Sequence, residues 1–135
     1  MTLEPLLHAP PAVQIHAATV IPAFFIGTWQ ILLSRKGARA HRAWGYLYLT
    51  LMTIIAVVAL FIHAIMPNSP FFGLSPIHVF VPITLFGVAS ALYGALTHNI
   101  RAHRGAMIGT YIGGLLIAGS LAFMPGRIMH AVAFG

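Results

Sequence analysis

Four of the eight histidines in this chain stand in a repeated register. Ile15-His16 recurs as Ile77-His78, and Arg39-Ala40-His41-Arg42 recurs as Arg101-Ala102-His103-Arg104, both after a step of 62 residues. Imidazole is the commonest protein metal ligand and holds haem iron axially. Two imidazoles from facing helices can grip one iron, each oriented by a hydrogen bond to its other ring nitrogen. The duplicated spacing points to a b-type haem held by paired histidines, drawn from His16 with His78 and His41 with His103. His63 adds a third imidazole to the His16 and His78 layer, so a three-histidine site for copper or zinc is the competing assignment. Other chemistry is scarce. The chain has no cysteine and one acid, Glu4. Thiolate nucleophiles, iron–sulfur ligands, carboxylate pairs and a Ser-His-Asp set are all excluded.

The elements that carry these histidines belong to a membrane. Hydrophobic residues make up 59% of the 135 and charged residues 6%, against about 25% charged in a soluble domain. The formal charge of +6 does not indicate a nucleic-acid binder, because the basic residues fall in short clusters between apolar runs. Runs of about 20 apolar residues cross a bilayer as helices. Four are expected, at about 12–34, 44–66, 76–96 and 105–124, within a single transmembrane domain of residues 1–135. The opening Met-Thr-Leu-Glu-Pro has no positive n-region or small-residue cleavage site, so the first run reads as an anchor that stays. Arg35, Lys36, Arg39, Arg42, Arg101 and Arg104 lie in or beside loops 1–2 and 3–4, and only Arg127 lies on the other side. The positive-inside rule puts both basic loops in the cytoplasm and both termini outside.

The expected fold class is an all-α integral membrane protein, a four-helix bundle of two like-oriented helical hairpins. The repeat units cover about 12–66 and 74–126. Like-oriented copies are related by a pseudo-twofold axis along the membrane normal. Symmetry then brings His16 toward His78 near the outer surface and His41 toward His103 near the inner one, with His98 nearby. His8 and His130 are assigned to exposed tails. At 100° per residue, His16, Ala23, Gly27, Gln30 and Ser34 share a small, polar face of span one that should point inward. His41, Gly45, Tyr48, Met52, Ala59 and His63 share a face of span two; His103, Met107, Thr110, Gly114 and Leu121 share the equivalent face of span four. Two stripes of small residues, Gly105-Gly109-Gly113 on span four and Gly87-Ala91-Gly94-His98 on span three, are expected at helix contacts. Pro22 and Pro82 are expected to bend their helices.

Two functions follow. In the first, the protein binds haem b or a metal through its paired histidines and transfers electrons. The layers are about 27 Å apart along the helix, which favours one centre over two in series. In the second, it is a non-catalytic membrane subunit or assembly factor, a homo-oligomer or part of a larger complex, with histidines as interfacial anchors. Transport has little support, since no acid lies in a span. The lipid bilayer is a partner in either case.

Lys36-Gly37-Ala38-Arg39-Ala40-His41-Arg42-Ala43-Trp44-Gly45-Tyr46, then Ile77-His78, His103-Arg104-Gly105-Ala106-Met107, Ala118-Gly119 and Pro125-Gly126-Arg127 carry a resemblance. In order and placement they resemble the predicted bacterial membrane proteins grouped as domain of unknown function 2306. That family shows Lys-Gly-Thr-x-x-His-Arg-x-x-Gly, an Ile-His opening its third span, His-Arg-x-x-Met and a Pro-Gly-Arg ending. Ala38 replaces the usual threonine. The resemblance implies a four-span protein of the bacterial cytoplasmic membrane and adds no activity.

Overall fold

The computed structural model describes residues 1–62 and 75–135, and every regular element among them is helical. After the single turn α1 (Glu4–Leu7) come α2 (Pro11–Leu32) and α3 (Arg39–Ala59). A 3₁₀ turn at Pro76–Val79 leads into α4 (Phe80–Leu96). Then α5 (Ile100–Thr110), a π-helical segment (Tyr111–Ile117) and α6 (Ala118–Leu121) follow without a break, and α7 (Ile128–Phe134) closes the chain. Pro11–Leu32, Arg39–Ala59 and Pro76–Leu96 are each long and apolar enough to cross a membrane.

Local chemistry sets the boundaries, and some differ from the hydropathy reading. α3 begins at Arg39 rather than near Trp44, and the fourth helical run begins at Ile100 rather than Gly105. Hydropathy marks where apolar residues start, whereas a helix starts where its first N–H groups find acceptors. Asn99 supplies one, its Oδ1 accepting from the Ala102 N–H at 3.1 Å. Gly37, at φ +80°, turns the first hairpin, and His98, at φ +56°, turns the second. His98 is thus an exposed turn residue and does not continue the small-residue stripe of α4. The fourth run ends at Leu121, and Pro125-Gly126 lies in the turn beyond it. α2 continues through Pro22. Pro82 sits in the first turn of α4, where a missing N–H costs little. His63, the expected end of span two and most of the link to span three lie outside the described residues.

The most extensive contacts join α2 to α3 and α4 to α5; α3 also packs on α4, and the π segment packs on both α2 and α4. Ala23, Tyr48, Met52, Ala91, Met107 and Leu115 form much of the shared core. Large apolar side chains such as Phe25 and Phe86 point outward, as lipid requires. The inward face expected of span one is realised: Ala23, Gly27, Gln30 and Ser34 are all buried.

The two glycine stripes part company. Gly94 lies against the backbone of His103, and Gly87 against the Thr110 hydroxyl, so the α4 stripe is a true helix contact. A Cβ added at Gly105, Gly109 or Gly113 would meet nothing within 4 Å. That stripe is not used by the packing described. The chain ends meet: the Thr2 N–H donates to the Val132 carbonyl at 3.1 Å, and α1 packs on α7. His8 is exposed as expected, but His130 is half-buried, its ring 5.1 Å from that of Phe134.

Candidate functional site

The sequence register brings His41 and His103 together. Both line a cleft of ≈ 50 Å³ with Gln30, Arg42, Gly45 and Met107. His41 stands in the first turn of α3, where its Nδ1 lies 2.7 Å from Ser34 Oγ. Its carbonyl accepts from Gln30 Nε2 at 2.8 Å. His103, on α5, donates from Nδ1 to the Ala91 carbonyl of α4 at 2.8 Å. The His103 ring therefore fastens α5 to α4, and the His41 ring fastens the start of α3 to Ser34, just past the end of α2. A neutral His103 ring that donates from Nδ1 keeps a lone pair on Nε2, as a ligand ring must.

Gln30 is only 2% exposed and its Oε1 has no partner among the described residues. A buried amide oxygen left unpaired costs about 1–3 kcal/mol, while one ordinary hydrogen bond contributes about 1 kcal/mol. Gln30→Leu should therefore be neutral or stabilising by about 1 kcal/mol, read as the midpoint of SDS-induced unfolding in mixed micelles. A loss above about 2 kcal/mol would show that Oε1 holds a guest in the cleft.

Room and charge both limit that guest. Ligand pockets usually enclose about 300–1,000 Å³; this cleft measures ≈ 50 Å³, room for a water-sized guest. Arg42 lines the same cleft. Lys36 Nζ sits beside it, donating to the carbonyls of Gln30, Ile31 (3.1 Å) and Ser34 (3.1 Å) and capping the end of α2. A charge about 4 Å from another costs about 4 kcal/mol at a dielectric near 20, so these cations oppose a bare metal dication.

The other layer is arranged differently. His78 Nδ1 accepts from the Ser75 N–H at 3.0 Å, and its Nε2–H is shared between the Ala59 and Ile62 carbonyls, each at 3.1 Å. Nδ1 thus caps the 3₁₀ turn itself, and Nε2 ties that turn to the end of α3. His16 lies beside the Ile55 carbonyl, and its buried Nδ1 has no partner among the described residues. His16 and His78 thus reach neighbouring turns of α3, but His78 has no lone pair to offer a metal. Among the described residues no three His, Asp or Glu side chains are placed to hold a metal ion. His63, the third member of the expected set, lies outside them.

Several contributors lie outside the duplicated histidine phrase. Lys36 opens the Lys-Gly segment of the resemblance, but its capping role shows only in its place just past a helix end. Tyr111 joins the π segment to α2, its hydroxyl 2.6 Å from Thr28 Oγ1 and its ring stacked 6.1 Å from Phe24. The unsatisfied Gln30 oxygen is visible only once the neighbours are placed.

Apolar helices with outward hydrophobic side chains and inward polar faces define an all-helical membrane protein. The chain belongs to the predicted membrane protein family DUF2306, whose model matches residues 13–131. No curated protein and no solved structure matches it.

Proposed function

We propose that this is a four-span protein of the bacterial cytoplasmic membrane, built from two like-oriented hairpins, that acts as a non-catalytic subunit or assembly factor. Meeting chain ends support an even number of crossings, because an odd number would leave the termini on opposite faces. The unbroken helical run from residue 100 to 121 is long enough to be the fourth. Six basic residues at one end against Arg127 at the other support cytoplasmic hairpin turns and external termini. The observation that carries the functional reading is the use of the repeat imidazoles. His41, His78 and His103 each tie one segment to another. In a membrane that is a structural task, since hydrogen bonds and close packing, not the hydrophobic effect, hold helices together.

One observation favours a second reading. His41 and His103 face one cleft with Nδ1 of each engaged, the arrangement a ligand pair needs, so an electron-transfer protein using haem b or a metal ion at the cleft mouth is the alternative. A reduced-minus-oxidised absorption spectrum of detergent-purified protein separates the two. The expected result is no haem band and no stoichiometric metal, with His41→Ala and His103→Ala each lowering the SDS midpoint by about 1–2 kcal/mol. A band that both substitutions abolish would establish the redox reading instead.

A further inference from the structure

The fourth helical run departs from α3, its counterpart in the repeat. The register of 62 residues continues past the histidines: Ile55-Ala56 recurs as Ile117-Ala118 and Phe61 as Phe123, with no residue inserted between. On α3, Met52, Ile55 and Ala56 are buried, three and four residues apart as one face of an α-helix requires. Their equivalents on the fourth run are Gly114, Ile117 and Ala118. Ile117 is instead 47% exposed, and Leu115, at 5%, is the buried residue.

The π segment Tyr111–Ile117 causes the difference. A π turn bonds each residue to the fifth along, so it holds one residue more than an α turn. Thr110 and Leu115, five apart, are accordingly both buried. Beyond the turn each residue takes the face that an α-helix would give its predecessor, which leaves Ile117 toward the lipid. The sequence thus carries the pattern of a continuous α-helix, and the structure adopts the other arrangement. Each buries an apolar face: Leu115 in the π form, Ile117 with Ala118 in the α form.

The inner end of the run is held in place. His103 donates to the Ala91 carbonyl, Gly94 lies against the His103 backbone, and the Tyr111 hydroxyl is 2.6 Å from Thr28 Oγ1. Past the π segment the ties are fewer. None of the residues of α6 is buried, and α6 packs chiefly on the π segment itself. Gly113 and Gly114 lie within that segment, and glycine changes its backbone angles at the least steric cost. The run then leads through the Pro125-Gly126 turn to α7, which packs on α1.

We propose that the fourth helical run is a two-state element whose π turn closes to α-helix. Closure turns the outer half of the run by about 100° and replaces Leu115 with Ile117 and Ala118 at the helix contact. The inner half stays fixed, so the device links packing in the membrane to the placement of the paired chain ends. A partner that grips those ends in one form only would shift the balance toward that form. The proposal goes beyond the structural reading of the histidines and does not depend on it.

The test uses the full chain in lipid nanodiscs. The chain has no cysteine, so spin labels attach only at introduced ones, Ile15→Cys and Ser120→Cys, both at exposed positions. A turn of 100° at a radius of about 5–6 Å moves residue 120 by about 8 Å. Pulsed dipolar spectroscopy should show two distances, the major one belonging to the π form. Leu115→Ala removes the side chain that the π form buries, and should raise the minor population about tenfold. Ile117→Ala removes one that only the α form buries, and should lower that population at an unchanged unfolding midpoint. Deleting Gly113 takes out the extra residue of the turn, so a plain α-helix holds Leu115 inward; only the major distance should remain. One distance in wild type and Leu115→Ala alike would overturn the proposal and leave a static π turn. So would a minor distance that Ile117→Ala does not reduce, or one that survives the deletion.

Discussion

Gly94→Leu is expected to prevent α4 and α5 from closing, leaving protein that inserts but does not reach its native packing. A Cβ at Gly94 would lie 2.6 Å from the backbone nitrogen of His103 and 2.9 Å from its Cα. A rotamer change cannot move backbone, so the helices themselves must separate. Gly94→Ala, adding one methyl, should cost about 2–3 kcal/mol. Part of that loss should come from the bond between His103 Nδ1 and the Ala91 carbonyl, which depends on the same crossing. Gly105→Ala is the matched control, since nothing lies near its added Cβ. It should change stability by less than about 1 kcal/mol, toward stabilisation, because alanine forms helix better than glycine. SDS unfolding in mixed micelles reads all three variants. Equal midpoints for Gly94→Ala and wild type would mean that the helices do not cross there.

The second large effect is at Tyr48. Its side chain is 1% exposed at the centre of the core, with its ring beside Gly27. Truncating a buried aromatic side chain costs about 3–5 kcal/mol in water-soluble proteins. In a bilayer the separated helices are bathed in lipid, so the transfer part of that cost shrinks and lost packing remains. Tyr48→Ala should therefore cost about 2–3 kcal/mol. Tyr48→Phe should do the reverse. The Tyr48 hydroxyl is buried without a partner among the described residues, and removing it should stabilise the protein by about 1–2 kcal/mol. Opposite signs from two substitutions at one position separate packing from polarity. Should Tyr48→Phe destabilise the protein, the hydroxyl must have a bonded guest, such as an ordered water.

Much of this arrangement is legible in the linear chain because membrane helices obey coarse rules. Apolar length locates three helices long enough to cross a membrane, and 3.6-residue periodicity assigns the buried face of α2. The repeated Arg-Ala-His-Arg phrase places His41 and His103 at one cleft. What the pattern could not supply was which contacts are made. Two glycine stripes look equivalent on paper, yet Gly94 touches a neighbouring backbone, and a Cβ at Gly109 would meet nothing within 4 Å among the described residues. Small side chains permit close approach on every face, and only the position of the next helix chooses one. Helix starts were misplaced for a related reason: hydropathy does not register Asn99 as a cap or His98 as a turn residue.

Composition and spacing alone thus determined a helical membrane protein, the polar face of its first long helix and the pairing of two histidines. Those properties are local or periodic, so they survive in one dimension. The tertiary structure decided how the histidine nitrogens are spent. His78 has both committed, while His103 Nε2 has no partner among the described residues. It also decided that Tyr48 and Met52 are fully buried, with Met52 Cε against Gly114 and the Thr110 hydroxyl against Gly87. Hydrogen-bond partners and voids are set by the distance between helices, and residue order does not encode that distance until the chain has packed.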